Sequence, residues 1–169
     1  MTELFLPPNE ARVLASIAEK AITTPQYYPM TVNAIMLAAN QKSSRDPLMK
    51  LTEGDVGAAL NRLRELELVR PDDSVGRVTK WRHQFKHHLL LDPALFALVV
   101  TLMLRGPQTV AELRANAAVL GGPDDDAAVR AALASLADRA QPLVVQLPRA
   151  AGQKEGRYGH TLSGAPVMP

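Results

Sequence analysis

The chain contains no cysteine, which excludes disulfides, thiolate zinc sites and cysteine nucleophiles. It has no apolar run long enough for a bilayer. The longest, Ala94 to Leu104, is interrupted only by Thr101 and falls well short of the roughly 20 residues a spanning helix needs. The N-terminus lacks a basic region followed by an apolar core, so no signal peptide is read. These absences predict a cytoplasmic protein with no membrane partner. Neither sign of charge dominates. Residues 1–92 carry 12 Lys/Arg against 11 Asp/Glu, residues 93–169 carry 7 against 6, and the net charge is +2. No broad basic field follows, so any contact with nucleic acid has to use a local patch. There is no phosphate-loop glycine pattern and no Ser/His/Asp arrangement with a local signature. The expectation is a non-enzymatic protein without a cofactor.

What is present is a duplication. Pro29-Met30-Thr31-Val32 with Ile35 recurs as Pro107-Gln108-Thr109-Val110 with Leu113. Val56, Leu60 and Leu63 recur as Val129, Leu133 and Leu136. Lys80-Trp81-Arg82-His83-Gln84-Phe85 recurs as Arg157-Tyr158-Gly159-His160-Thr161-Leu162. The offsets are 78, 73 and 77, and loops absorb such differences at small entropic cost. A repeat of this size divides the chain into residues 1–91 and 92–163, with 164–169 as a disordered tail.

Apolar spacing predicts a first helix from Asn9 to Thr23, stopped by Pro25. Thr31 is placed to cap a second helix through Asn40, and Thr52 a third from Glu53 to Glu67. Strands are expected at Leu68–Arg70 and Arg77–Gln84, with Asp72, Asp73, Ser74 and Gly76 in the turn. In the second copy Asp92 caps a helix to Arg105, and Thr109 caps one to Ala118. Asp124–Asp126 open a third helix, which ends near Arg139. Strands follow at Leu143–Leu147 and Tyr158–Leu162. The fold class is therefore mainly α with small β-hairpins. Three helices followed by a hairpin, twice, is the pattern of two tandem winged-helix (helix-turn-helix) domains.

In such a domain three places can touch nucleic acid. Lys42, Ser43, Ser44 and Arg45 lie between helices two and three, and two cations with two hydroxyls suit a phosphate. Asp46-Pro47 equally makes this a structural turn. On the third helix Asn61, Arg62 and Arg64 are of base-reading type, although that helix starts acidic. The first wing carries Arg77, Lys80, Arg82 and Lys86 with no acid among them. Alternation puts Lys80 and Arg82 on one face and Trp81 on the other, where it anchors the wing. A charged strand edge that resists aggregation is the plainer explanation of the same cations. The candidate nucleic-acid-binding residues are thus Lys42, Ser43, Arg45, Asn61, Arg62, Arg77, Lys80 and Arg82. The second copy is poorer, because three aspartates at its third helix repel phosphate. His83 and His160 hold equivalent positions, which a shared structural hydrogen bond explains better than a metal ligand in each copy; no metal site is read.

The helix Ala94–Leu104 is apolar around its whole circumference and has to be covered on several sides. Leu95, Phe96, Val99, Leu102 and Met103 then meet either the other copy or a second chain, which makes a homodimer one expectation.

Several stretches resemble one family. They are Thr23-Thr24-Pro25 with Tyr28-Pro29, the run Asn40-Gln41-Lys42-Ser43-Ser44-Arg45-Asp46-Pro47, Lys80 with Arg82-His83, Arg105-Gly106-Pro107-Gln108-Thr109, and Arg157-Tyr158-Gly159-His160. Across nearly the whole chain they are similar to the YceH-like family of uncharacterised bacterial proteins. The resemblance implies two winged-helix domains and carries no catalytic residues. Two functions remain: contact with duplex DNA or a regulatory role through the first copy, and a module that docks a protein partner.

Overall fold

The computed structural model describes residues 4–72, 76–149, 151–152 and 154–166. It is mainly helical and divides into two compact units, one of residues 7–90 and one that joins the first six positions to residues 91–169. Among the described residues, each unit consists of three helices followed by a two-stranded antiparallel hairpin.

In the 7–90 unit, α1 (Pro8–Thr23) starts with proline in its first turn, where no N–H is needed. Leu14, Ile17 and Ala18 are fully buried along it. Pro25 ends the helix in a short 3-10 turn, Pro25–Tyr27. Thr31 caps α2 (Val32–Ala39) by accepting the Ala34 N–H at 3.1 Å. Thr52 and Asp55 form a reciprocal capping box on α3 (Glu53–Glu65). α1 packs against both α2 and α3. Val56, Leu60 and Leu63, the positions that recur in the sequence, are fully buried along α3. β1 (Val69–Asp72) and β2 (Lys80–His83) close the unit, and one helical turn, α4 (Phe85–His88), follows.

The second unit repeats the plan with α5 (Pro93–Arg105), α6 (Val110–Ala117), α7 (Asp126–Ala137), β3 (Val144–Gln146) and β4 (Tyr158–His160). Asp92, Thr109 and Asp125 cap its three helices. Gly106 ends α5 at φ 77°, a left-handed conformation that glycine adopts without strain. The duplication extends to single backbone bonds. Met30 exchanges two with Trp81 (3.1 and 2.7 Å), and Gln108 exchanges two with Tyr158 (3.0 and 2.8 Å). The Leu68 N–H bonds the Leu63 carbonyl, as that of Leu143 bonds Leu136. This explains the recurring Pro-X-Thr-Val pattern: X pairs with the returning strand, and Thr caps the next helix.

β2, β3 and β4 are shorter than alternation predicts, whereas β1 runs past Arg70 to Asp72, which the sequence assigns to the turn. β2 begins at Lys80, because Val78 is exposed and nothing buried holds the segment before it to the core. Residues 164–166, which the sequence leaves in a tail, lie against the second hairpin. A Cβ added at Gly159 would meet Pro166 Cβ at 2.7 Å. Asp73, Ser74 and the tail positions 167–169 lie outside the described residues.

Candidate functional site

The register of the first hairpin sorts its side chains. Val69 faces His83, Arg70 faces Arg82, Pro71 faces Trp81 and Asp72 faces Lys80. Val69 and Trp81 are buried, so their face is the inner one, and Arg70, Asp72, Lys80 and Arg82 share the outer one. Trp81 anchors the hairpin as the alternation predicts. Arg70 is the cation that sequence reasoning missed: it sits on the opposite strand, and only the pairing register brings it beside Arg82.

Like charges directly across a ladder repel. The outer face answers this through Arg82. Its Nε donates to Asp72 Oδ2 at 2.5 Å, and its guanidinium carbon lies 5.2 Å from the centre of the Tyr28 ring. Tyr28 is itself fixed, since its hydroxyl accepts the His83 backbone N–H at 2.9 Å. Burial raises the Tyr28 pKa above that of an ordinary phenol, and the bond to Asp72 raises that of Arg82. Arg82 is thus held in place, while Arg70 is exposed and Lys80 half-buried beside it.

The loop between α2 and α3 requires a correction. Arg45, expected on the surface, is 7% exposed and turned inward. Its Nε donates to the Ala38 carbonyl at 3.1 Å, and its two Nη groups meet the Glu19 carboxylate at 3.1 and 2.7 Å. Arg12 works beside it, donating to the carbonyls of Ala39 (3.0 Å) and Pro47 (2.6 Å). The physical reason is the end of α2, whose last carbonyls lack partners within the helix, followed by a loop without regular bonds. Arginine brings five donors to that deficit. Burial pushes the Glu19 carboxyl upward, yet its bonds and charge contacts with Arg45 and Lys20 prevail and hold it below the usual range. Arg45 therefore leaves the candidate surface. Lys42 and Ser43 stay exposed on this loop, where Gln41 Nε2 donates to the Ser43 carbonyl at 2.9 Å.

On α3, Asn61 and Arg62 are exposed. Arg62 lies 3.3 Å from Glu65 and 3.8 Å from Glu10, so part of its charge is answered. The Asp55 carboxylate at the start of α3 is engaged by the Thr52 backbone and hydroxyl, which lower its pKa. Arg77 is exposed before β2. The structure brings Lys80 and Arg82 together on one face; Lys42 and Ser43 belong to a loop, Asn61 and Arg62 to a helix. In the second unit, Arg114 pairs with Asp126 at 2.8 Å and Arg157 with Glu112 at 3.7 Å.

α5 is enclosed within the chain. Phe96, Val99, Leu102 and Met103 are buried and Leu95 half-buried, and in its own unit the helix meets α6, α7 and β4. The two histidines differ from the expected shared bond. His83 is tied through its backbone N–H to Tyr28, whereas the His160 ring accepts the Leu162 N–H through Nδ1 at 3.1 Å. What they share is register, each opposite a buried valine, and burial that lowers both pKa values to about 4. Among the described residues, no group of three or more His, Asp or Glu side chains is placed to hold a metal ion, and no helix is long and apolar enough to cross a membrane.

Residues 6–153 match a family described as "Protein of unknown function, DUF480". The chain is 44% identical to a UPF0502 protein of Geobacter sulfurreducens over 98% of its own length and 76% of the relative's. It is 47% identical to a UPF0502 protein of Pelobacter propionicus over 96% and 74%, respectively. It is 45% identical to one of Azoarcus sp. over 96% and 73%. With a match that covers most of the chain and relatives this similar over nearly all of its length, the chain belongs to the UPF0502 family of uncharacterised bacterial proteins, to which the YceH-like resemblance also points.

Proposed function

We propose that the protein is a cytoplasmic, non-enzymatic pair of tandem winged helices that contacts duplex nucleic acid, in a regulatory role, through its first copy. One observation carries the reading: the outer hairpin face gathers Arg70, Lys80 and Arg82 around the single carboxylate of Asp72, with Trp81 anchoring the other side. In a winged helix this hairpin is the wing and α3 the recognition helix. The bridges from Met30 to Trp81 and from Gln108 to Tyr158 support the form in both copies, since each ties the residue before the second helix to its hairpin. Wing cations that meet phosphate position the protein without reading bases. Asn61 and Arg62 are the α3 side chains suited to base edges.

Binding to a duplex, measured at two salt concentrations, tests this. The Arg70→Ala, Lys80→Ala double variant should bind every sequence more weakly and lower the salt slope by about two units. A folded wild-type protein that binds no duplex at low salt would remove the nucleic-acid reading. The docking-module reading would then gain support from Tyr27, Leu37 and Leu48, which expose apolar surface in the same unit.

A further inference from the structure

We infer that Arg82 and Arg70 form a ready-made phosphate clamp, in which Asp72 and Tyr28 act as positioning residues. The inference deepens the nucleic-acid reading and rests on it for the source of the phosphate. Four observations support it. Arg82 meets Asp72 through Nε, so the terminal amino groups that form the outer end of the guanidinium fork are not spent on that carboxylate. Below the guanidinium lies the Tyr28 ring, itself pinned to β2 by the His83 N–H. Asp72 is sheltered, with 11% of its side chain exposed against 38% for Arg82, so the arginine is the more accessible partner of the pair. Arg70 stands directly across the ladder. Two guanidinium groups side by side, one already immobilised, suit a phosphate oxygen pair and give up little freedom in binding it.

Substitution of Asp72 separates positioning from plain charge. Asp72→Asn removes a negative charge from a cationic face, and charge alone predicts tighter binding to a polyanion. Positioning predicts the reverse, a loss on the order of tenfold, as expected for one charge-assisted hydrogen bond. Arg82→Lys keeps the charge but loses both Nε and the planar fork, so affinity should fall while the salt slope holds. Binding of a duplex of about 30 base pairs is measured for both variants, with folding checked by far-UV dichroism and Trp81 fluorescence. Weaker binding by both supports the clamp. Wild-type affinity or better in either folded variant overturns it and leaves the nucleic-acid reading standing, and if Asp72→Asn does not fold, Arg82→Lys decides alone. Inorganic phosphate, titrated while the Arg70 Nε–H resonance is followed in both proteins, is the second arm. Should the wild type bind no duplex, a phosphate response present in wild type and lost in Arg82→Lys keeps the clamp and assigns it a phosphate from another source. No response to either ligand overturns clamp and nucleic-acid reading together.

Discussion

At the scale of single residues, the buried arginines of the first unit are the clearest case of chemistry hidden from sequence. Arg45 stands in a run of polar residues that reads as a solvated loop, and nothing in its neighbours marks it as buried. Its partner, Glu19, is 26 positions away on α1. A hint does exist: Arg12, Ser16 and Glu19 recur at helical spacing and are all buried on that helix. A charged pair on such a face needs a partner from elsewhere in the chain. Breaking a buried ion pair strands the remaining charge, which costs about 3–5 kcal/mol. Arg45→Ala should therefore lower unfolding free energy by about that much, whereas Lys42→Ala on the same loop should change it by within about 0.5 kcal/mol. Urea titrations of the two variants make the comparison, and equal effects would place Arg45 at the surface after all.

At the scale of elements, the helix starts were the most legible. Thr31, Thr52, Asp92 and Thr109 cap the helices that the sequence assigns to them, because a cap needs only a side-chain oxygen and a backbone three residues on. The one-turn α4 was missed, since Phe85, Lys86, His87 and His88 are too few for periodicity to register. The extent of β2, β3 and β4 was overestimated and that of β1 underestimated, and the cationic hairpin face was only half visible: alternation places Lys80 with Arg82, but Arg70 and Asp72 join them through register alone. The two return strands also set a pH dependence. His83 and His160 have their pKa values lowered from 6.5 to about 4, by burial in both and, for His83, also by nearby His87 and Lys86. The unfolded chain then takes up protons that the folded one refuses, so stability falls as pH drops from 6.5 toward 4. A His83→Gln, His160→Gln variant should show a shallower decline of the denaturation midpoint between pH 7 and pH 5 than wild type. An identical slope would mean that both imidazoles protonate freely in the folded state.

At the scale of the whole molecule, the chain divides into two compact units, and the matched bonds at Met30 and Gln108 give the recurring sequence patterns a physical form. The boundary at the N-terminus was not foreseeable. Leu6 is fully buried, and its N–H bonds the Leu162 carbonyl at 2.6 Å, so residues 4–6 belong with the second unit although α1 of the first follows at once. Nothing local in Phe5-Leu6-Pro7-Pro8 indicates a partner so distant in sequence. Deleting residues 1–6 should speed amide hydrogen exchange in residues 91–166 and leave 7–90 nearly unchanged. Faster exchange confined to α1 would contradict this assignment.

That N-terminal segment gives the chain an order in time. During synthesis residues 4–6 leave the ribosome before the rest of their unit, yet the carbonyl that Leu6 bonds belongs to Leu162, made only after the whole of residues 7–90. The first unit can complete its own contacts while the chain is still growing, and the second cannot. From the second unit's standpoint, the whole of residues 7–90 is one long excursion between Leu6 and the rest of its chain. A newly made molecule therefore passes through a stage in which one half is finished and Leu6 is still uncovered. In that stage the nascent protein presents the Leu6 side chain, which a chaperone can grip and which the finished molecule conceals.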